Sequence, residues 1–350
     1  DANSAGIGAE VLLNIEGVLG SAFADSIDGS AASDIIQSGD GGDLVGGGAG
    51  ADSIDGGAGD DLIDGGAGND TVTGGDGADA MTGNDGDDSL TGAGGEDTLI
   101  GGAGNDVLDG GPQTDNADYS GAAGGIDLDL LAGAASDDGD GGVDTLTGIE
   151  NVVGSAFADT IAGDAAANVL VGGDGADSIA AGGGSDSVSG GAGNDTIDGG
   201  AGNDSLDGGD GADLLLGSDG NDTFSGGAGQ DTVDHSASTG GVQADLAAGN
   251  GLDAGSGFDS YVGVEHLTGS TFGDQLVGDA GANALAGNDG NDLLEGGAGD
   301  DTLDGGAGID TADYSADAAG VTVDLAAGTA TDGAGDLDVL TGVENVLGPD

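Results

Sequence analysis

Along most of the chain a large apolar residue recurs every ninth position, flanked by polar or small neighbours, as in "DTIDG" and "DSLDG". Such alternation predicts a strand of about three or four residues with one large side chain pointing inward. Glycine clusters separate these runs and predict turns. Each nine-residue unit therefore reads as a turn followed by a strand. A strand this short cannot bury its apolar residue unaided, so units must stack. If successive turns alternate sides, two units make one full coil. The predicted fold is all-β: a parallel β-solenoid of two facing parallel sheets with a thin ladder of Ile, Leu and Val between them.

The repeated phrase is GGxGxDxUx, where U is large and apolar. It keeps strict register over residues 20–118, 154–234 and 269–313, as 11, 9 and 5 nonads. Position six is Asp in 23 of these 25, the exceptions being Asn168 and Asn283. Position eight is Ile, Leu, Val, Phe or Met in 23, and the exceptions, Ala117 and Ala312, each close a block.

Composition adds chemistry to this pattern. The 350 residues include 68 acids, 86 glycines, two histidines, no Lys, no Arg and no Cys. A formal charge of −68 excludes a nucleic-acid binder, which needs a basic footprint. It also makes an anionic membrane surface repulsive. No apolar run approaches the roughly 18 residues of a membrane-spanning helix, and without Cys there is no disulfide framework. The carboxylates must therefore be neutralised from outside the chain. Glycines at positions one, two and four allow positive φ and let carbonyls approach a common point. An Asp beside such carbonyls makes an all-oxygen site, which suits a hard cation such as Ca2+.

The chain closely resembles the RTX (repeats-in-toxin, haemolysin-type) calcium-binding family. The best matches are "GGAGADSID", "GGAGDDLID" and "GGAGNDTVT" (47–73), "GGAGNDVLD" (101–109), "GGAGNDTID" and "GGAGNDSLD" (190–207) and "GGAGDDTLD" (296–304). The resemblance implies a right-handed parallel β-roll with calcium ladders along both edges. It also implies bacterial type I secretion, with folding driven by calcium outside the cell.

Carried over turn by turn, the resemblance assigns metal half-sites where Gly stands at position four and Asp at six. These aspartates are Asp43, Asp52, Asp61, Asp70, Asp79, Asp88, Asp97 and Asp106, then Asp177, Asp186, Asp195, Asp204, Asp213, Asp222 and Asp231, then Asp292, Asp301 and Asp310. In the best-matching turns the accompanying glycines are Gly48, Gly50, Gly57, Gly59, Gly66, Gly68, Gly191, Gly193, Gly200, Gly202, Gly297 and Gly299. Each Asp is expected to share its ion with the turn two nonads away, as Asp195 with the turns of Asp177 and Asp213. Pairing gives 12 complete sites, or 19 if every nonad serves, hence about 12 to 19 Ca2+. Each block opens on a departure, "GSAFAD", "GSAFAD" and "GSTFGD", where Phe23, Phe157 and Phe272 replace the glycine and read as aromatic plugs. These turns, with "GSAASD" and "GDAAAN", are expected to be poor sites.

Residues 119–153, 235–268 and 314–350 are spacers and variants of one another, and residues 1–19 look like the tail of a fourth copy. The chain thus reads as a portion of a larger block-and-spacer repeat. The spacers are expected to be wider coils that continue the solenoid without the regular metal ladder. "SDDGDGGVD" (136–144) has the composition of a calcium loop but fails the EF-hand spacing, so it is not counted as a site. Asp127, Asp129, Asp245 and Asp324 alternate with apolar residues and read as the outward face of a strand.

His235 aligns with Tyr119 and Tyr314, and His266 with Asn151 and Asn345, so neither forms a distinct catalytic constellation. The expectation is a non-enzymatic calcium-binding segment that folds on extracellular Ca2+. Its expected role is structural, within a long secreted or surface protein such as an adhesin stalk, surface layer or fibre. The alternative is a folding module of a type I-secreted enzyme or toxin whose catalytic domain lies elsewhere. End-to-end homo-assembly is the partner relationship expected of a solenoid, and a polysaccharide- or ice-reading surface is disfavoured by the 2% aromatic content.

Overall fold

The computed structural model describes residues 17–217, 219–253 and 257–349. Residues 1–16, most of the expected fourth spacer tail, lie outside the described residues. Among the described residues every regular element is a β-strand. The chain divides after Asp174 into two compact units, inside the second block of nonads.

Within each unit consecutive nonads supply strands to alternate sheets, and each strand pairs in parallel with the one two nonads on. In the first unit one sheet runs Ile36, Ile54, Val72, Leu90, Leu108. Its facing sheet runs Val45, Ile63, Met81, Leu99, Ala117. In the second unit Ile179, Ile197, Leu215 and Val233 form one row, and Val188, Leu206 and Phe224 the other. This is the arrangement expected of a parallel β-roll. It follows from having one apolar residue per nonad: only a fixed offset of two nonads keeps every such side chain on the inside. At 24 of the 25 nonads position eight is at most 2% exposed, and Ile27 is half-buried. Each buried Ile, Leu or Val contributes about 1.5–3 kcal/mol, and the row as a whole carries the core.

The spacer strands pair with those of the neighbouring nonads, and each spacer adds an antiparallel hairpin that periodicity did not reveal. Leu108 pairs with Leu146, Thr145 then faces Ala134 antiparallel, Ala135 faces Leu128, and Leu128 pairs in parallel with Ile161. The opposite sheet steps directly from Ala117 to Val152 to Leu170. The second spacer inserts its hairpin between Phe224, Tyr261 and Leu276, and the third beside Leu303 and Leu340. Five nonads separate those two, an odd number, so their hairpins enter opposite sheets. Asp127 and Asp324 are exposed and Asp129 and Asp245 half-buried, on the outer face.

The reading of Phe23, Phe157 and Phe272 as plugs is corrected: they are 76%, 47% and 47% exposed. Position four sits at the tip of the edge turn, where a side chain has room only toward solvent.

Candidate metal centre

Most regular turns are shaped by two left-handed residues. Gly57 and Gly59, at positions two and four, have φ of 103° and 128°, and a Cβ on either would overlap the carbonyl oxygen of Gly39 or Gly41 in the preceding turn of the same edge. Glycine at position one acts differently from what the sequence suggested, since its φ is not positive, and Ser38 and Ala181 take the same position in two turns. A Cβ on Gly56 would lie 2.5 Å from both Asp61 Oδ2 and the Gly74 carbonyl oxygen. Its absence leaves a cleft between a carboxylate and a backbone carbonyl.

The position-six aspartates form a hydrogen-bonded ladder. The backbone N–H of Asp43 donates to Oδ1 of Asp61 at 2.8 Å, that of Asp61 to Asp79 at 2.8 Å, and that of Asp79 to Asp97 at 2.8 Å. On the other edge Asp52, Asp70, Asp88 and Asp106 are joined alike. Within the second unit Asp177, Asp195 and Asp213 are joined in the same way, as are Asp186, Asp204 and Asp222. All eighteen candidate aspartates are at most 3% exposed.

Oδ1 is the oxygen engaged in these contacts. Oδ2 is buried and meets no donor in Asp43, Asp52, Asp61, Asp70, Asp79, Asp88, Asp97, Asp106, Asp195, Asp204, Asp213, Asp231, Asp292 and Asp310. The same holds for Asp115, whose "GGPQTD" turn lacks Gly at position four. A buried anion without a partner is costly, and the carboxyls respond. Burial pushes Asp79, Asp88, Asp106, Asp115 and Asp292 up to about 6. It pushes Asp222 and Asp301 up to about 7, with neighbouring carboxylates adding to the effect.

Position two decides which carboxylates are left this way. Where Ser21, Ser30, Ser155 or Ser270 stands there, its backbone N–H donates to Oδ2 of the Asp four residues on, at 2.6–2.7 Å. Asp164 and Asp279 do the same for Asn168 and Asn283, at 3.0 and 2.8 Å. None of these six residues has positive φ. Where position two is left-handed its N–H points elsewhere, and this includes the non-glycines Asn84, Ala93 and Asn288, with φ of 73°, 78° and 70°. Asp88, Asp97 and Asp292 in those turns retain a bare Oδ2. The block-opening turns therefore satisfy their own aspartates, by a device at position two rather than by the Phe at position four.

The expectation that spacers lack the ladder is also corrected. Asp106, Asp222 and Asp301 donate to Oδ1 of Asp144, Asp259 and Asp338 at 2.9, 3.0 and 3.1 Å. Asp115, Asp231 and Asp310 donate to Oε2 of Glu150, Glu265 and Glu344 at 2.9, 3.0 and 2.9 Å. Each spacer therefore contains a degenerate turn carrying Asp and a shortened one carrying Glu. The recurrence of "DTLTGIE", "DSYVGVE" and "DVLTGVE" was the signal, masked because the glycines around it are out of phase.

A second ladder at position five escaped the sequence reading. Side chains of Asp60, Asn69, Asp87, Asn194 and Asn291 accept the N–H of position five in the next turn on the edge, at 2.9–3.2 Å. Both histidines make contacts within the coil: His266 Nδ1 accepts the Ala284 N–H at 3.0 Å, as Asn151 Oδ1 does from Val169. His235 is fully buried, with Nε2 3.0 Å from the Tyr261 hydroxyl.

Among the described residues no three His, Cys, Asp or Glu side chains converge as a metal cluster. The donors gathered at the turns are instead pairs of carboxylate oxygens with backbone carbonyls, all hard oxygen ligands and all lacking a positive partner. That set fits Ca2+ and fits poorly any metal that prefers nitrogen or sulfur. A family model of the RTX calcium-binding nonapeptide repeat matches residues 18–45, 46–81, 82–117, 145–179, 153–188, 171–206, 181–215, 207–237 and 277–312, well over half of the chain. The chain belongs to the RTX calcium-binding family. Its β-roll is of a kind that is typically structural rather than catalytic. No curated protein matches the chain. Among the described residues no helix of this RTX chain is long and apolar enough to cross a membrane.

Proposed function

We propose that this RTX chain takes up Ca2+ between successive turns on each edge, two nonads apart in sequence, and that ion uptake and folding are one event. The observation that carries the reading is the buried, donorless Oδ2 that recurs in nonad after nonad, in a chain without a single Lys or Arg. The residues that would hold the ions are the eighteen aspartates from Asp43 to Asp310 with the carbonyls of their turns, giving about 12 to 19 ions. A bound divalent cation supplies the positive charge the carboxylates lack. The protein's own part is to hold one oxygen of each carboxylate by a backbone N–H and leave the other facing the cleft over position one.

Without the ion, mutual repulsion and glycine entropy oppose the fold. Calcium near 10⁻⁴ to 10⁻³ M, the range served by extracellular modules, makes binding and folding inseparable. That points to work outside the cell, as a structural segment of a long secreted or surface protein. The threefold repetition of block and spacer supports this role. Far-UV circular dichroism during a calcium titration tests it: β-structure should appear cooperatively with Ca2+, and a chain already β-structured in chelator would refute the coupling.

A further inference from the structure

Each spacer carries an aspartate six residues before the one that extends the ladder: Asp138 before Asp144, Asp253 before Asp259 and Asp332 before Asp338. In the first spacer the loop closes around Asp138 Oδ1, which accepts the N–H groups of Asp140, Gly141 and Gly142 at 2.7, 2.7 and 2.8 Å. Three donors on one oxygen fix the direction of the other. Asp138 is 1% exposed, and its Oδ2 is buried without a partner. That oxygen faces the Cα of Gly142, where a Cβ would overlap both it and the carbonyl oxygen of Gly104.

Gly104 belongs to the regular turn 101–106, whose Asp106 also has a buried, donorless Oδ2. Asp144 ties the two turns together: its Oδ1 accepts the Asp106 N–H at 2.9 Å, and its Oδ2 accepts the Tyr119 hydroxyl at 3.0 Å. Burial raises both Asp106 and Asp144 to about 6, and the charge of Asp138 contributes to each. Three carboxylates thus act on one another with no cationic side chain nearby to balance them.

We propose that the spacer turn 138–144 completes a divalent-cation site with turn 101–106, with Asp138 Oδ2, Asp106 Oδ2 and the Gly104 carbonyl as its ligands. The ion is Ca2+, because every donor is oxygen. This rests on the calcium reading above and extends it to a loop outside the nonad motif. The second spacer holds its aspartate differently, with a histidine beside it. There Oδ2 of Asp253 accepts the Ser238 hydroxyl and lies 3.7 Å from His235 Nδ1, and it is Oδ1 that is buried without a partner.

Terbium, which substitutes for Ca2+ and emits when excited through a nearby aromatic ring, tests the site in the full chain. The chain has three tyrosines and no Trp, so sensitised emission reports only ions near a tyrosine. Tyr119→Phe should remove part of the emission from the otherwise unchanged chain. In an Asp138→Asn background, which keeps the oxygen that the loop N–H groups need, Tyr119→Phe should remove a clearly smaller share. The proposal is overturned if Tyr119→Phe removes nothing from the unchanged chain, or removes the same share after Asp138→Asn. Should Asp138→Asn fail to reach the calcium-folded dichroism spectrum, Asp138→Ser is read by the same comparison. Failure of the wider calcium reading would look different: the unchanged chain would take up no Ca2+ in equilibrium dialysis.

Discussion

The backbone N–H of Asp195 donates to Oδ1 of Asp213 at 2.8 Å, while Oδ2 of the same carboxylate is buried and meets no donor. The two oxygens have separable tasks, one holding adjacent coils in register and the other offering charge. Asp213→Asn keeps the first and loses the second, its amide nitrogen taking the place of the bare oxygen. Asp213→Ala loses both, and a hydrogen bond to a charged group contributes about 1.5–3 kcal/mol. The calcium midpoint for folding, followed by circular dichroism, should rise for Asn and rise further for Ala. Equal midpoints for all three chains would show that neither oxygen matters.

Position two offers a test of backbone strain. Ala93 holds φ at 78°, a conformation that costs an L residue about 1–2 kcal/mol. Ala93→Gly should stabilise the calcium-loaded fold by about 1 kcal/mol, read as a higher urea midpoint at saturating Ca2+. Gly57→Ala should do the reverse and more strongly, because its Cβ overlaps the Gly39 carbonyl oxygen as well as adopting that φ.

The raised carboxyls give the ion-free chain an inverted pH response. A group whose folded pKa lies above its unfolded value stabilises the fold below the unfolded pKa, and that contribution is lost as pH rises through the folded one. For Asp79, Asp88, Asp106, Asp115 and Asp292 the window runs from 3.8 to about 6; for Asp222 and Asp301 it runs from 3.8 to about 7. In chelator, acidification from pH 7 to pH 4 should therefore raise β-structure. In calcium, the folding midpoint should rise as pH falls below about 6, because the ion requires the deprotonated form. A chelated chain that loses structure on acidification would contradict the burial of these carboxylates.

The period of nine and the lone apolar residue in each unit made the two facing sheets legible, since Leu90 or Leu206 can be buried only by stacking on its neighbours two nonads away. The paired aspartates were legible for the same reason. What stayed hidden depends on backbone direction rather than residue type. Ser155 and Gly191 both look like turn residues, yet only the first turns its N–H onto the carboxylate four positions on. The spacer hairpins were hidden because Leu128 and Ala135 pair antiparallel across a tight turn inside an otherwise parallel sheet. Asp144 and Glu150 were missed because they keep the spatial register of the ladder after the sequence register has slipped, at separations of 38 and 35 residues.

Asn168 and Asn283 allow the position-two rule to be tested in the opposite direction. Each stands one coil after a spacer glutamate, and its amide nitrogen donates to the backbone carbonyl of Glu150 or Glu265 at 2.7 and 2.9 Å. Its Oδ1 is already held by the N–H of Asp164 or Asp279. An Asp at either place would press a carboxylate oxygen against that carbonyl in a turn with no left-handed position two. Leaving such an acceptor unsatisfied costs about 1–3 kcal/mol, and more when it is charged. Asn168→Asp should therefore lower the thermal midpoint at saturating calcium, by more at pH 7 than at pH 5, where protonation returns a donor. If the variant instead gained an ion and stability, position six would be sufficient to make a site, and position two would not be what separates binding turns from closed ones.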